Sequence, residues 1–471
     1  MSRVSSADLL HSLYDAALAG ADARAATDRA VLRLRLGTAD DARATWIVAL
    51  GKAAPAMAAG AVAALAASEA SLAGGVVVGA ALDGEAPALG EPPHPALQSL
   101  VGDHPVPGAR SLAAADAIGD VVARVRPDDR VLVLLSGGAS SLAAGPVRGV
   151  TADDMARLAE LLLGSGLDVA AMNAVRKRFA RWGAGRLAAA LAGPDVQARV
   201  HCLVVSDVIG DPLAAVGSGP CVGDVATAAS IETRLRAARD GAAPLWERVP
   251  PAMREYLERV VRGEEEETPK PGDACFRRVT VRVILNNADA LTAAASRAFD
   301  HGIAPVEVRH ALSGEARECG GRIVEQLVAL RDRCRAAATS APIPPARPTT
   351  RRAALIWGGE TTVTLDGAHG AGGRCQELAL AAARALYALG DAGAGITLLA
   401  AGTDGRDGPT DAAGAIVDDA TWEYVRDAGR DPAHDLACHD SHPALDAAGV
   451  LLRTGLAGTN VMDVMMGVVE Y

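Results

Sequence analysis

Three aspartates, Asp404, Asp407 and Asp411, lie within the ten-residue segment Gly-Thr-Asp-Gly-Arg-Asp-Gly-Pro-Thr-Asp at 402–411. The segment follows an apolar run at 396–401, which is typical of a buried strand that ends at the edge of a sheet. Crowded carboxylates repel one another, and a cation such as Mg²⁺ would relieve that repulsion. The spacing therefore predicts a magnesium site, whereas the plainer interpretation is a surface turn, for which Asp-Gly pairs are typical.

Two further buried strands are predicted at 130–135 and 200–205, and each also ends in small or acidic residues. The first leads into Ser136-Gly137-Gly138-Ala139-Ser140-Ser141, whose paired glycines let backbone N–H groups turn toward one anion. The second leads into Ser206-Asp207. Strands of a parallel sheet place their carboxyl ends at one edge, where open α/β folds bind ligands. We therefore expect function at that edge.

Lysine is rare in this chain, which makes its positions informative. Of the 46 basic residues, only three are lysines: Lys52, Lys177 and Lys270. Lys52 follows a predicted strand at 46–50 and precedes a predicted helix at 53–67, a natural position for binding an anion. The plainer interpretation is a lysine that extends its charge to solvent from a strand end. Lys270 lies in an apparent linker, which shows that a lysine can also remain in this chain by chance.

Two other segments offer cations for an acidic ligand. Asn173, Arg176 and Lys177 have the spacing of one helical face within a helix predicted at 172–191, although a solvated basic face would look the same. Arg374 follows a glycine-rich loop at 367–373 and begins an alanine- and leucine-rich helix. An arginine beside a helix N-terminus is well placed to bind an anion.

Composition excludes several classes of protein. The formal net charge of −11 and the pI near 5.4 argue against a general nucleic-acid or anionic-membrane surface. Seven cysteines form no Cys-x-x-Cys pair, and the sequence predicts neither a signal peptide nor a membrane span. We expect a reduced cytoplasmic protein whose partners are small molecules. A homodimer is compatible with the sequence.

Strands alternate with helices along the whole chain, which predicts an α/β fold of two Rossmann-like domains with mostly parallel sheets. The length of 471 residues fits two domains. We place an N-terminal domain at 1–262, an acidic connector at 263–272 and a C-terminal domain at 273–471. The segment from Asp411 to about 428 is expected to be a helix that Asp411 caps.

The chain resembles the glycerate kinases that carry a MOFRL C-terminal domain, a family in which some members are labelled hydroxypyruvate reductases. The matching segments follow the family's order from near residue 50 to the end of the chain. They include Gly51-Lys52-Ala53-Ala54, His104-Pro105-Val106-Pro107, Leu135-Ser136-Gly137-Gly138, Asn173-x-x-Arg176-Lys177, Ser206-Asp207, Gly358-Gly359-Glu360, Gly372-Gly373-Arg374-x-Gln376-Glu377, the segment 402–414 and Gly458-Thr459-Asn460-Val461. The MOFRL region would span about 351–471.

The resemblance implies a two-domain enzyme, with its site in the cleft between the domains, that phosphorylates D-glycerate with ATP, usually to 2-phosphoglycerate. It implies Lys52, Arg374 and Asp207 as catalytic residues. We expect Lys52 and Arg374 to act on the moving phosphoryl group. Asp207 or a loop aspartate would orient or deprotonate the attacking hydroxyl, and the remaining carboxylates, from Asp404, Asp407 and Asp411, would hold Mg²⁺.

The remaining positions divide between the two substrates. For the hydroxy acid we expect contacts from Asn173, Arg176, Lys177, Ser136, Gly137 and Gly138. For ATP we expect contacts from Ser140, Ser141, Gly359, Glu360, Gly373, Thr403, Gly405, Thr459 and Asn460. The chain departs from the family pattern at Ala139, Cys375, Leu456-Ala457 and Met462. Because these changes alter groups near the expected site, they leave open a hydroxy acid closely related to glycerate.

Two other functions compete with the kinase. An NAD(P)H-dependent hydroxypyruvate reductase needs a dinucleotide-binding turn directly after a strand. The nearest candidate, Gly183-Ala184-Gly185-Arg186-Leu187-Ala188, lies inside a predicted helix. A non-catalytic sugar-acid sensor would bind the ligand and release no ADP.

Overall fold

The computed structural model describes residues 5–36, 43–81, 91–104, 106–240, 243–339, 351–365 and 367–471. Its internal contacts divide the chain into two compact units. The N-terminal unit is Ala23–Leu285, and the C-terminal unit joins Met1–Asp22 to Asn286–Tyr471. None of the described helices is long and apolar enough to cross a membrane.

A six-stranded sheet with the order β3-β2-β1-β4-β5-β8 forms the centre of the N-terminal unit. The strands of this unit, with the small hairpin β6–β7, are β1 Thr45–Leu50, β2 Leu72–Gly79, β3 Leu97–Val101, β4 Arg130–Leu135, β5 Arg199–Val205, β6 Arg239–Asp240, β7 Ala243–Pro244 and β8 Val279–Leu285. Every pair in the six-stranded sheet is parallel. Strands β1 and β4 are buried along their whole length, as their continuous apolar sequences predict for a sheet covered on both faces.

Ten helices accompany these strands in the described part of the N-terminal unit. They are α2 Ala23–Arg33, α3 Ala54–Ala67, α4 Ala109–Arg124, α5 Ala139–Leu142, α6 Ala152–Leu163, α7 Val169–Arg178, α8 Arg186–Ala192, α9 Ala228–Ala237, α10 Leu245–Arg248 and α11 Pro251–Val261. The single helix predicted at 172–191 is wrong, because Ala184 and Gly185 take positive φ angles of 54° and 80° and separate α7 from α8. A left-handed backbone cannot continue a right-handed helix.

The C-terminal unit has a second six-stranded sheet, with the order β13-β12-β11-β14-β10-β9. Its strands are β9 Val306–Leu312, β10 Arg352–Gly359, β11 Ile396–Gly402, β12 Gly414–Val417, β13 Leu451–Leu452 and β14 Asp463–Glu470. Its helices are α1 Ser6–Gly20, α12 Asn287–Asp300, α13 Ala316–Thr339, α14 Arg374–Ala388, α15 Thr421–Asp427, α16 Pro432–Ala437 and α17 Ser441–Ala447.

The α/β class is confirmed, but the two sheets differ in strand direction. In the second sheet only β9 and β10 pair in parallel, and the other pairs are antiparallel. The connection from β11 to β12 is too short for a parallel crossover, so the chain reverses there. This reversal also corrects the helix expected from Asp411 onward, since β12 comes first and α15 begins only at Thr421.

The structure also moves the expected domain boundary. Helix α1 belongs to the C-terminal unit and β8 to the N-terminal unit, whereas the sequence places them in the opposite domains. The acidic connector at 263–272 is no free linker, because Glu267 forms an ion pair with the buried Arg178 and Lys270 lies 3.4 Å from Glu267. These contacts hold the connector within the N-terminal unit.

Asp407 ties the loop after β11 to the start of α14. Its two carboxylate oxygens accept hydrogen bonds from the backbone N–H of Cys375 at 3.1 Å and of Gln376 at 2.7 Å. Gly373 leaves the space for this contact, since a Cβ there would lie 2.3 Å from Asp407 Cγ. Burial, with the charge of Asp463, raises the pKa of Asp407 to about 7, although the two N–H donors act in the opposite direction.

We expect the Asp407 carboxyl to make stability depend on pH. The unfolded chain releases this proton near its ordinary pKa of 3.8, and the folded chain near 7, so its contribution is greatest below pH 4 and falls as pH rises to 7. Chemical denaturation of the wild type and Asp407→Asn at pH 5 and pH 8 checks this. The variant should lose about 3 kcal/mol less between these pH values than the wild type.

Asp391→Asn, at an exposed position of the same unit, is the matched control and should follow the wild type. Parallel pH profiles for the wild type and Asp407→Asn would contradict a raised pKa at this residue.

Candidate active site

Lys52 and the Ser136 turn meet because β1 and β4 are adjacent parallel strands. The backbone N–H of Lys52 donates to the Gly137 carbonyl at 2.8 Å, and the N–H of Ala53 donates to the Ser136 hydroxyl at 3.0 Å. Gly51 has no room for a side chain, since a Cβ would lie 2.2 Å from Ser136 Oγ. Ser136 is fully buried and so shapes this turn.

Asp207 joins the same sheet edge from β5, the next strand after β4. A Cβ on Gly137 would lie 1.6 Å from Asp207 Oδ2, so the carboxylate rests directly on the glycine backbone. A Cβ on Gly138 would lie 3.2 Å from the His104 ring and 3.4 Å from Lys52 Cγ. The structure thus brings Lys52, Gly137, Gly138 and Asp207 together and adds His104.

Ser140 contacts a second serine, which belongs to the segment Ser218-Gly219-Pro220 that also matches the family but is not among the predicted site residues. Its hydroxyl lies 2.7 Å from the hydroxyl of Ser218, and Ser218 has a positive φ of 64° in the turn after β5. Ser140 is exposed and Ser141 half-buried. Ser140 and Ser141 therefore stand at the carboxyl edge of the sheet, where hydroxyl donors can reach a phosphate.

The predicted face of Asn173, Arg176 and Lys177 is divided in the structure. Asn173 and Arg176 are exposed on α7, whereas Lys177 is buried and pairs with Asp224 at 2.9 Å. Asp224 also lies 3.7 Å from the buried Arg178. The ammonium of Lys177 therefore already has a carboxylate partner within the protein, and the common ligand-binding face that the spacing predicts is not formed.

Arg374 is held by two carboxylates in the C-terminal unit. Its Nε and Nη2 donate to the two oxygens of Asp463 at 2.5 and 2.8 Å, and Nη1 lies 3.0 Å from Glu360. Burial alone would lower the pKa of Arg374, but the charge and hydrogen bonds of Asp463 outweigh it and raise the pKa. The guanidinium is a fixed cation at the N-terminus of α14.

Sheet topology explains how these groups converge. The antiparallel strand β14 lies between β10 and β11, so its first residue, Asp463, pairs with the last residues of both, Gly359 and Gly402. Sequence reasoning missed Asp463. Its signal is a carboxylate directly before the apolar run at 464–469, and a fully buried acid of this kind needs a charged partner.

The expected nucleotide contacts of this unit lie in the loops around that edge. The Thr403 hydroxyl donates to the Met462 carbonyl at 2.6 Å and accepts from the N–H of Val461 at 2.9 Å, so it joins two loops. Gly405 leaves room for Gly455, whose carbonyl would lie 1.9 Å from a Cβ. The Asn460 side chain accepts from the Met462 N–H, and Thr459 is buried.

Tyr14 completes this edge from a distant part of the sequence. Its hydroxyl donates to the Gly402 carbonyl at 2.6 Å, and the ring is fully buried. No pattern around residue 14 predicts this contact.

The predicted magnesium site of three aspartates is not formed. Asp407 binds the N-terminus of α14, and Asp411 accepts from Arg453 and His442, each at 2.8 Å, which lowers the pKa of Asp411 to about 2. Asp404 accepts from the Arg406 N–H at 3.1 Å. Among the described residues, no group of three or more His, Cys, Asp or Glu side chains could hold a metal ion.

The glycine pair at Gly183 and Gly185 does not match a dinucleotide-binding turn. The sequence predicts that this pair lies inside a helix. In the structure it follows helix α7 and not a strand. Gly185 admits the Val222 carbonyl, which would lie 2.8 Å from a Cβ. The turn thus packs against protein backbone, and the strand-turn-helix context that a dinucleotide site requires is missing.

Two domain families match this chain. A domain of unknown function, DUF4147, matches residues 9–258, and the MOFRL family matches residues 353–463. The two matches fall in different parts of the chain, and the MOFRL match lies within the region predicted at about 351–471.

Relatives and solved structures agree with these matches. The chain is 35% identical to glycerate 2-kinase of Pyrococcus horikoshii, over 79% of this chain and 78% of the relative. It is 37% identical to a putative hydroxypyruvate reductase of Agrobacterium vitis, over 78% and 76%. A crystal structure of glycerate kinase from Thermotoga maritima matches with a TM-score of 0.78 at 32% identity, covering 98% of this chain and 99% of that chain. The chain therefore belongs to the glycerate kinase family.

Proposed function

We propose that this protein is a glycerate kinase that transfers the γ-phosphoryl group of ATP to D-glycerate and forms 2-phosphoglycerate. The observation that supports this most is the convergence of Lys52, the Gly137–Gly138 turn and Asp207 at one sheet edge. Phosphoryl transfer needs mainly positioned cations and backbone donors around the phosphate oxygens. This edge offers a lysine, a glycine turn and a carboxylate within a few ångströms.

We assign Asp207 to the attacking hydroxyl of glycerate and Lys52 to the moving phosphoryl group. The hydroxyl oxygen forms a bond to the γ-phosphorus, the bond from that phosphorus to the β-phosphate oxygen breaks, and ADP leaves with the electron pair. Asp207 orients the hydroxyl and accepts its proton. Lysine suits the other role because its compact ammonium follows charge as it moves between oxygens.

Arg374 supplies a fixed positive charge to the phosphates. Its two carboxylate partners, Asp463 and Glu360, hold the planar guanidinium in one orientation, and a preorganised charge stabilises developing negative charge without reorganisation. For the carboxylate of glycerate we assign the exposed Arg176, because Lys177 already pairs with Asp224.

Magnesium enters this proposal only as part of the substrate. Asp407 binds the N-terminus of α14, and Asp411 pairs with Arg453 and His442. The loop therefore does not match the predicted magnesium site of three aspartates. We infer that Mg²⁺ arrives on the phosphates of ATP, where kinases generally use it.

Assays of ADP release test the activity itself. With glycerate, ATP and Mg²⁺ we expect ADP, and enolase added alone should then form phosphoenolpyruvate, because enolase acts on 2-phosphoglycerate and not on 3-phosphoglycerate. Oxidation of NADH with hydroxypyruvate, without ADP release, would overturn the kinase in favour of a reductase. Binding of glycerate without either reaction would favour a sensor.

Lys52→Ala and Arg374→Ala should each lower kcat by about 100-fold or more, because each removes a charge that stabilises the transition state. Lys52→Arg restores the charge but not the compact shape and should recover only part of the rate. Arg426→Ala, at an exposed arginine of the C-terminal unit, is the control and should keep the wild-type rate. Near-wild-type turnover of either variant at saturating substrates would make its assignment wrong.

Asp463→Asn should lower kcat about tenfold or more, since the asparagine cannot accept both hydrogen bonds of the Arg374 guanidinium. Its effect should vanish when Arg374 is already alanine, so the double variant should be no slower than Arg374→Ala. Glu360→Gln, at a carboxylate that is 43% exposed, should have a smaller effect. Rates are compared on proteins with native circular dichroism, and additive losses in the double variant would exclude action through Arg374.

A further inference from the structure

Cations concentrate on one face of the sheet in the N-terminal unit, away from the residues assigned above. Strand register places them together. On adjacent strands, Arg130 lies level with Arg199, His201 with Thr280, and Leu203 with Arg282. Side chains alternate between the faces of a strand, so the basic members of these pairs share one face. The other face carries Val200, Cys202 and Val204, which belong to the hydrophobic core.

These cations form a ladder along the strands. At about 3.3 Å per residue, His201 stands about 7 Å along β5 from Arg199, and Arg282 stands level with a point about 13 Å from Arg199. Arg199 and Arg282 are exposed, His201 is half-buried and Arg130 is buried. The His201 Nδ1 lies 2.9 Å from the Thr280 hydroxyl, which fixes the ring between the two exposed arginines.

The charges of Arg199 and Arg282 have no close carboxylate partner in the described part of the chain, although the negative charge of Asp128 acts on Arg199 from a greater distance. Among the residues that the structure describes, no carboxylate forms an ion pair with Arg199 or Arg282. At the same edge Asp128 pairs with Arg278 at 2.8 Å, and Asp129 accepts from the Trp46 Nε1 and the Arg126 N–H. Burial and the positive charges of Arg130, Arg282 and Arg199 hold the pKa of His201 below its ordinary value. Cations repel one another here although the chain carries a net charge of −11.

We propose that Arg199, His201 and Arg282 form a non-catalytic binding site for a small molecule with two anionic groups, such as a diphosphate or a bisphosphate. Charge complementarity supports this occupant, because arginine forks bind phosphate oxygens in bidentate pairs. The two exposed arginines stand far enough apart to take one anionic group each, with His201 between them. The site lies toward the amino ends of the strands, away from the assigned residues, since Arg199 is about 26 Å and Arg282 about 13 Å along the strands from Asp207.

Binding of inorganic pyrophosphate tests this site, measured by calorimetry without magnesium at low ionic strength, where charge attraction is least screened. We expect Arg199→Gln and Arg282→Gln each to weaken one binding event about tenfold or more. Arg262→Gln, at another exposed arginine of this unit, should bind as the wild type does. Lys52→Ala should retain this event, which separates it from pyrophosphate at the proposed active site. Inorganic phosphate should bind at least about tenfold more weakly, since it engages one end only.

A second readout reports on the site directly. Pyrophosphate should move one histidine ring resonance in the NMR spectrum at the same concentration, and that resonance should be missing in His201→Gln. The proposal is wrong if the only binding event is lost in Lys52→Ala and unchanged in Arg282→Gln, or if no binding occurs at millimolar pyrophosphate. Equal affinities for phosphate and pyrophosphate would contradict the two-group ligand. The outcome is independent of whether the protein phosphorylates glycerate.

Discussion

The ion pair between Arg374 and Asp463 organises the C-terminal unit. Asp463 is fully buried and accepts from the guanidinium with both oxygens, so removing Arg374 leaves an uncompensated buried carboxylate, a change that typically costs about 3–5 kcal/mol. The pair lies where two strand ends meet, because Asp463 begins the strand between β10 and β11. The loops that follow those two strands therefore close around one arginine.

The N-terminal unit reaches a similar result by a different physical route. Its sheet edge is shaped by the small size of glycine: Gly51 admits Ser136, and Gly137 admits the carboxylate of Asp207. Larger residues at these positions would push the neighbouring strand ends apart. A parallel sheet supplies the shared edge, and the glycines let the side chains at that edge approach one another closely.

Sequence reasoning predicted the strand ends well, because buried parallel strands carry continuous apolar runs that end abruptly in polar residues. Lys52, Gly137 and Asp207 follow such runs and meet in the structure. The same reasoning failed for the second sheet, whose antiparallel strands are equally apolar, so strand direction left no mark in composition. It also missed Tyr14 and Asp463, whose contacts depend on chain segments 388 and 89 residues away.

Charged groups were the hardest to interpret, because a sequence lists charges without their partners. Asp407, Asp411 and Lys177 each looked like ligand-binding groups, yet the structure pairs them with α14, with Arg453 and His442, and with Asp224. Lys270, which looked incidental, joins Glu267 in the same charged cluster as Arg178. A buried charge needs a compensating partner wherever it lies. Most of these charged groups therefore have a partner within the protein. Arg199 and Arg282 differ, since both are exposed beside like-charged neighbours, and the proposed anion would supply the opposite charge.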